Sequence, residues 1–167
     1  MRTLVELVNR AADVLAQVLL GVMVVVVFVQ VIFRFFIQQP LSWSEEVARY
    51  VFVWIIWMGA AVAVKLGAHP GMDLLTKSFS PRWQRITEVA MSLLYALTLL
   101  TVIVTGFALV HANMSQPSPA MELPMGIPYA AIPLAAVIML LNLLCTVFFP
   151  KKGARGHQVD VDKWASG

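Results

Sequence analysis

Polar and apolar residues are sorted along this chain in long blocks rather than in a short period. Charge-free runs occupy residues 14–33, 50–64, 89–121 and 123–149, and the charged positions gather between them and at the ends. An α-helix rises 1.5 Å per residue, so crossing a hydrocarbon layer of about 30 Å takes about 20 apolar residues. The first run meets that length by itself. The third crosses between Val89 and Val110 and ends at His111. The second has only 15 residues, but it extends through Val47-Ala48 on one side and Leu66-Gly67-Ala68 on the other. Arg49 and Lys65 then sit near its two ends, where long cationic side chains reach the headgroups. The fourth starts near Ile127 and stops at Phe149-Pro150, before Lys151-Lys152 return to water. The pattern predicts an all-α membrane domain over residues 1–149. It is expected to be an integral bundle of four transmembrane helices, at about 12–35, 43–67, 82–111 and 127–149. Residues 150–167 form a polar tail that is expected to be disordered.

The connections add detail. Pro40 blocks continuation of the first helix. Ser42 and Glu45 have capping-box spacing, so the second helix is expected to start at Ser42. Glu45 and Glu46 then lie in its first turn, which favours carboxylates, and either can pair with Arg49 along the helix. Trp43 suits the interfacial aromatic belt. Between helices 2 and 3, Met72, Leu75 and Phe79 share a face, which predicts a short interfacial helix lying flat on the membrane. Ser80-Pro81 suits the start of helix 3. The proline-rich stretch from Gln116 to Tyr129 reads as a re-entrant or tightly packed turn rather than a mobile loop.

Composition agrees and charge adds orientation. The chain is 60% hydrophobic and 13% charged, against about 25% charged in soluble domains. A soluble fold of this size buries only about 70% of the surface its unfolded chain exposes, which excludes a water-soluble monomer. The N-terminal stretch, the 2–3 loop and the C-terminal tail hold ten Lys and Arg residues. The opposite side holds two, Arg34 and Arg49. That asymmetry predicts both termini in the cytoplasm. The basic balance then reports orientation and attraction to anionic lipid rather than nucleic-acid binding. The first run is too long for a signal-peptide core, and no small-residue cleavage site follows it, so it is expected to stay as helix 1.

No constellation for catalysis stands out. His69 and Asp73 have the spacing of two metal ligands, but no third ligand is near them in sequence. His69 and His111 fall at opposite membrane depths and cannot share a haem. Cys145 is the single cysteine, so there is no redox pair. No Gly-rich phosphate loop is present. The span centres hold no Asp, Glu, Lys, Arg or His, where ion-coupled carriers place ionisable groups. They hold packing material: Gly59 with Ala63, Ala131 with Ala135, a stripe of Thr98, Thr101 and Thr105, and Asn142. Trp54 and Trp57 are expected to face lipid or a partner. No enzyme activity, cofactor or metal is expected. An accessory membrane subunit fits best, and the open alternative is an autonomous small membrane protein. That alternative is either an assembly factor or an oligomeric exporter with Glu122 as its only candidate acid.

Several motifs, in order, resemble one family. Arg34 closes helix 1, and Leu41-Ser42-Trp43-Ser44-Glu45-Glu46-Val47-Ala48-Arg49-Tyr50 opens helix 2 with a W-x-E-E-x-x-R pattern. Lys65 and His69 are followed by Asp73-Leu74-Leu75, and Leu123-Pro124 through Tyr129-Ala130-Ala131-Ile132-Pro133 leads into helix 4. Together these resemble the small permease subunit of TRAP (tripartite ATP-independent periplasmic) transporters, the DctQ type. Pro70-Gly71 departs from the pattern, where an apolar residue is expected. The resemblance implies a three-part carrier with a periplasmic solute-binding protein and a large permease subunit. It implies uptake of an organic anion driven by sodium, with the small subunit bracing the large one and helping to dock the receptor. Arg34, Trp43, Glu45, Glu46, Arg49, His69 and Asp73 are the structural or partner-interface candidates. Within that set, Arg34 is expected either to pair with Glu45 or Glu46 or to snorkel alone.

Overall fold

A computed structural model describes residues 2–65 and 81–148. The elements are α1 (Arg2–Ile32), a π-helical segment (Phe33–Ile37), α2 (Ser42–Lys65), α3 (Pro81–Asn113), α4 (Gly126–Tyr129) and α5 (Ala131–Phe148). Four helical stretches are long and apolar enough to cross a membrane: Thr3–Ile37, Ser42–Val64, Val89–Asn113 and Gly126–Val147. These are the four expected spans. His69, Asp73, the expected interfacial helix and the tail from residue 150 lie outside the described residues.

Helix α1 starts at Arg2 rather than near residue 12. The charged positions there do not break a helix. Glu6 and Arg10 are four apart, the spacing of helical neighbours, and the Gln17 amide donates to Asp13 at 3.3 Å. At its far end α1 loosens into the π-helical segment. Gln38 takes a left-handed backbone (φ 60°), uncommon outside glycine. The Gln38 and Gln39 N–H groups both close onto the Phe33 carbonyl. Pro40 then keeps the helix from resuming. Helix α2 begins at Ser42 as expected. Its first turn is tied by the Ser44 backbone N–H and hydroxyl, which both donate to the Leu41 carbonyl, at 3.1 and 2.7 Å.

The spans pack as a bundle in which α5 touches all three of the others. Helix α1 lies on α2, α2 on α5, and α5 on α3, with α4 bridging α3 and the start of α5. The last span is therefore central. Its Ala131, Ala135, Ala136 and Met139 are buried, and the last three share a cluster with Ala12, Met58, Ala61 and Leu99 from the other three spans. Alanines at this seam let backbones approach closely, which is how helices gain contact where lipid removes the hydrophobic drive. Gly106 serves the same seam from α3: a Cβ there would lie 3.1 Å from the Pro133 ring.

Two expectations change here. Trp54 and Trp57 are half-buried against the core rather than turned outward. The threonine stripe of α3 is exposed, and each hydroxyl bonds its own helix: Thr98 to Leu94, Thr101 to Leu97 and Thr105 to Thr101. A hydroxyl satisfied by the preceding turn needs no neighbour, so the stripe does not hold this chain's helices together.

Candidate functional site

The W-x-E-E-x-x-R segment is divided between two faces of α2. Trp43, Glu45 and Arg49 are exposed, whereas Glu46 is 6% exposed. Glu46 is three residues past Trp43 and four before Tyr50, and helical geometry turns it toward the link between α3 and α4. Its Oε2 accepts the backbone N–H groups of Ala120 at 3.1 Å and Met121 at 2.9 Å. Its Oε1 accepts the Tyr50 hydroxyl. The Met125 sulfur lies 3.0 Å from that same hydroxyl oxygen. One carboxylate thus holds one helical neighbour and two successive N–H groups of a loop that is remote in sequence. Charge-assisted bonds of this kind are stronger than neutral ones.

The loop is built to be held. Pro117 and Pro124 face each other in an isolated antiparallel bridge. Ser118 donates its N–H to Leu123 at 2.8 Å, and its hydroxyl accepts the Leu123 N–H at 3.2 Å. Glu122 donates to the Ser118 carbonyl while adopting φ 54°. Met125 closes the loop by donating to Gln116 at 2.9 Å. These bonds leave the Ala120 and Met121 N–H groups pointing at Glu46. This is the tightly packed turn the prolines suggested. Gly126 follows at once, and a Cβ there would fall 2.8 Å from the Val110 carbonyl and 2.6 Å from the Met114 sulfur.

The expected pairing of Arg34 with Glu45 or Glu46 does not form. Glu46 is committed to the loop, and Arg34 is exposed, with its guanidinium 5.9 Å from the centre of the Phe35 ring. The reason is that α1 runs on past the first turn of α2, which carries Arg34 away from both glutamates.

A second polar knot stands at the other end of the bundle along the helix axes. The Asn9 amide donates to Asn142 Oδ1 at 2.6 Å, and the Asn142 amide donates back to Asn9 Oδ1 at 2.8 Å. Each amide has one further bond, Asn9 to the Val5 carbonyl at 2.7 Å and Asn142 to the Ala61 carbonyl at 3.2 Å. Three spans thereby meet at one fixed register. Among the described residues, no buried side-chain nitrogen or oxygen lacks a partner. Asn142→Leu strands the Asn9 oxygen and should cost about 1–2 kcal/mol, between the modest worth of hydrogen bonds in membranes and the penalty of an unsatisfied buried group. The double variant Asn9→Leu/Asn142→Leu strands neither partner and should unfold closer to wild type than either single variant. Thermal unfolding of the four proteins in detergent checks this.

Between the two knots, α1, α2, the loop and α4 enclose an apolar cleft of about 480 Å³, walled by Leu19, Val51, Trp54, Leu123 and Ile127 among others. It offers no charged group and no visible chemistry.

Sequence reasoning missed Tyr50, Asn9 and Gly126 as site-forming residues. Tyr50 was recognisable from its four-residue spacing to Glu46. Asn9 sat among charged positions, and Gly126 among prolines.

These residues fall within a recognised family pattern. The family described as "Tripartite ATP-independent periplasmic transporters, DctQ component" matches residues 23–149. This chain belongs to that family. It is a transporter component and not an enzyme. The match takes in Glu46, Tyr50, the whole loop, Gly126 and Asn142, and leaves Asn9 outside. A Haemophilus influenzae protein that carries the name of a TRAP transporter small permease is 27% identical over 92% of this chain and 98% of its own length. The C4-dicarboxylate TRAP transporter small permease protein DctQ of Rhodobacter capsulatus is 27% identical over 92% of this chain and 82% of its own. The isethionate TRAP transporter permease protein DctMQ of Oleidesulfovibrio alaskensis is 30% identical over 61% of this chain. There the matched part is only 16% of a longer protein.

Proposed function

We propose that this small permease is a fixed brace for a large TRAP permease subunit in the bacterial inner membrane, with both of its termini in the cytoplasm. The complete carrier would take up an organic anion, in the carboxylate class, driven by a sodium gradient. The observation that carries this reading is where the polar groups stand. The span interiors offer no ionisable group for moving a solute or an ion. Among the described residues, the buried polar groups are spent on internal ties, Glu46 on the loop and Asn9 on Asn142. A protein so arranged is suited to keeping its shape while another chain moves. DctMQ supports the pairing, because its name covers two components and this chain matches only a small part of it.

Glu46 and its loop stand at one end of the bundle along the helix axes. With the termini in the cytoplasm, that end faces the periplasm. The rigid loop is then the part of this chain placed to help seat a periplasmic solute-binding protein. Co-expression of this chain with its cognate large permease should yield a complex that survives purification in mild detergent. Recovery of the two chains separately, each folded, would count against the reading.

A further inference from the structure

The outer half of α1 outruns α2. Asn9 and Ala61 stand at one level, since Asn142 bonds both. Leu19 and Val51 stand at another, since each lies ten residues from that first level along its own helix, and both wall the same cleft. From Leu19 the helix continues for eighteen residues to Ile37, about 27 Å. From Val51 back to Ser42, α2 covers nine residues, about 14 Å. The end of α1 therefore stands roughly 13 Å beyond the start of α2.

This projecting end is apolar and bare. Phe28 is 66% exposed, Phe35 69% and Phe36 81%. A membrane drawn to the apolar run of α1 would sink the exposed Glu45 and Arg49 of α2. One drawn to α2 would leave the phenylalanines in water. A tilt common to packed neighbours removes only part of an offset between them. Among the described residues, Arg34 stands beside these rings with Phe35 beneath it, a cation that needs an acceptor once it is covered. The exposed stripe of α3 makes no such demand. Leu93, Leu97 and Val104 suit lipid, and the threonines between them are satisfied by their own helix.

We infer that the outer half of α1, from Val24 to Phe36, is the face that docks the large permease subunit, which seats an acidic side chain or free carbonyl against Arg34. The inference rests on the brace reading and adds its location. The occupant is membrane-embedded, because the face is apolar. It is a larger permease chain, because in DctMQ the counterpart of this unit belongs to one.

The test uses the co-expressed complex, with a benzoylphenylalanine crosslinker placed singly at Phe28, Phe35 and Phe36 on α1, and at Leu93 and Val104 on α3. The α1 positions should give a product of the mass of both chains, several-fold more abundant than from α3. Arg34→Glu should lower recovery of the large permease about tenfold or more, and Arg34→Lys by less. Three results would overturn the placement while leaving the brace reading intact: wild-type co-purification with crosslinks from α3 alone, α1 products of twice this chain's mass, or α1 products with the solute-binding protein. Failure of the wild-type chains to co-purify would overturn both.

Discussion

Gly126→Val should dislodge the link between α3 and α4. Even the first added carbon would lie 2.8 Å from the Val110 carbonyl and 2.6 Å from the Met114 sulfur. The methionine can swing aside, but the carbonyl belongs to the α3 backbone. Relief would require α3 and α4 to separate, which loosens the helix that leads into the central span α5. Forcing extra carbon into a packed site costs roughly 1–3 kcal/mol, and β-branching at a backbone contact should reach the upper end. The expected result is a clear fall in unfolding temperature and little purified complex. Met114→Ala in the same chain separates the two contacts. If the carbonyl decides the matter, removing the sulfur restores only a small part of the lost stability. Full rescue would show that the methionine alone sets the limit.

Glu46→Leu should release the loop while leaving α2 folded. The substitution removes the acceptor of three donors at once: the Ala120 and Met121 N–H groups and the Tyr50 hydroxyl. The bonds are half-buried and each is made to a carboxylate, so the loop loses several charge-assisted ties together. An apparent melting temperature lower by about 5 °C or more is expected, together with rapid amide exchange at Ala120 and Met121. Glu46→Gln keeps an oxygen for the loop and should behave much more mildly. Arg34→Ala should leave unfolding of the isolated chain unchanged, because Arg34 does not reach Glu46. An equal destabilisation by Glu46→Gln and Glu46→Leu would argue that charge, rather than acceptance of the loop N–H groups, holds the site.

How far these features could be read from the sequence depends on what marks each residue. The spans were legible because a charge inside hydrocarbon is costly, so charge-free runs report membrane depth directly. The same rule misplaced the start of α1. Charges near Arg10 and Asp13 mark where the apolar run begins, but they do not end a helix whose i and i+4 positions suit one another. Glu46 could be singled out by its motif, yet its partners could not. Backbone N–H groups carry no side-chain signature, and Ala120 and Met121 are more than seventy residues away. Arg34 was the charge most easily imagined opposite it. That pairing failed on a distance along the helix axis that no local pattern reports. Asn142 was visible as a polar residue in an apolar helix. Its partner Asn9 hid among ordinary polar neighbours, and only the packing of α1 and α2 against α5 brings the two amides together. The threonine stripe shows the opposite error. Its spacing invited a contact between helices, but a hydroxyl on a helix can always turn back to the preceding turn.

The central claim is that this chain supports transport without performing it. Uptake of a radiolabelled C4-dicarboxylate or sialic acid, whichever the cognate solute-binding protein binds, measures this directly in proteoliposomes carrying an inward sodium gradient. Vesicles would hold this chain alone, the large permease alone, or both, each supplied with the solute-binding protein. Uptake with both chains and none with this chain alone is the predicted result, with the large permease alone strongly impaired. Uptake by this chain alone, or full-rate uptake by the large permease without it, would contradict the account.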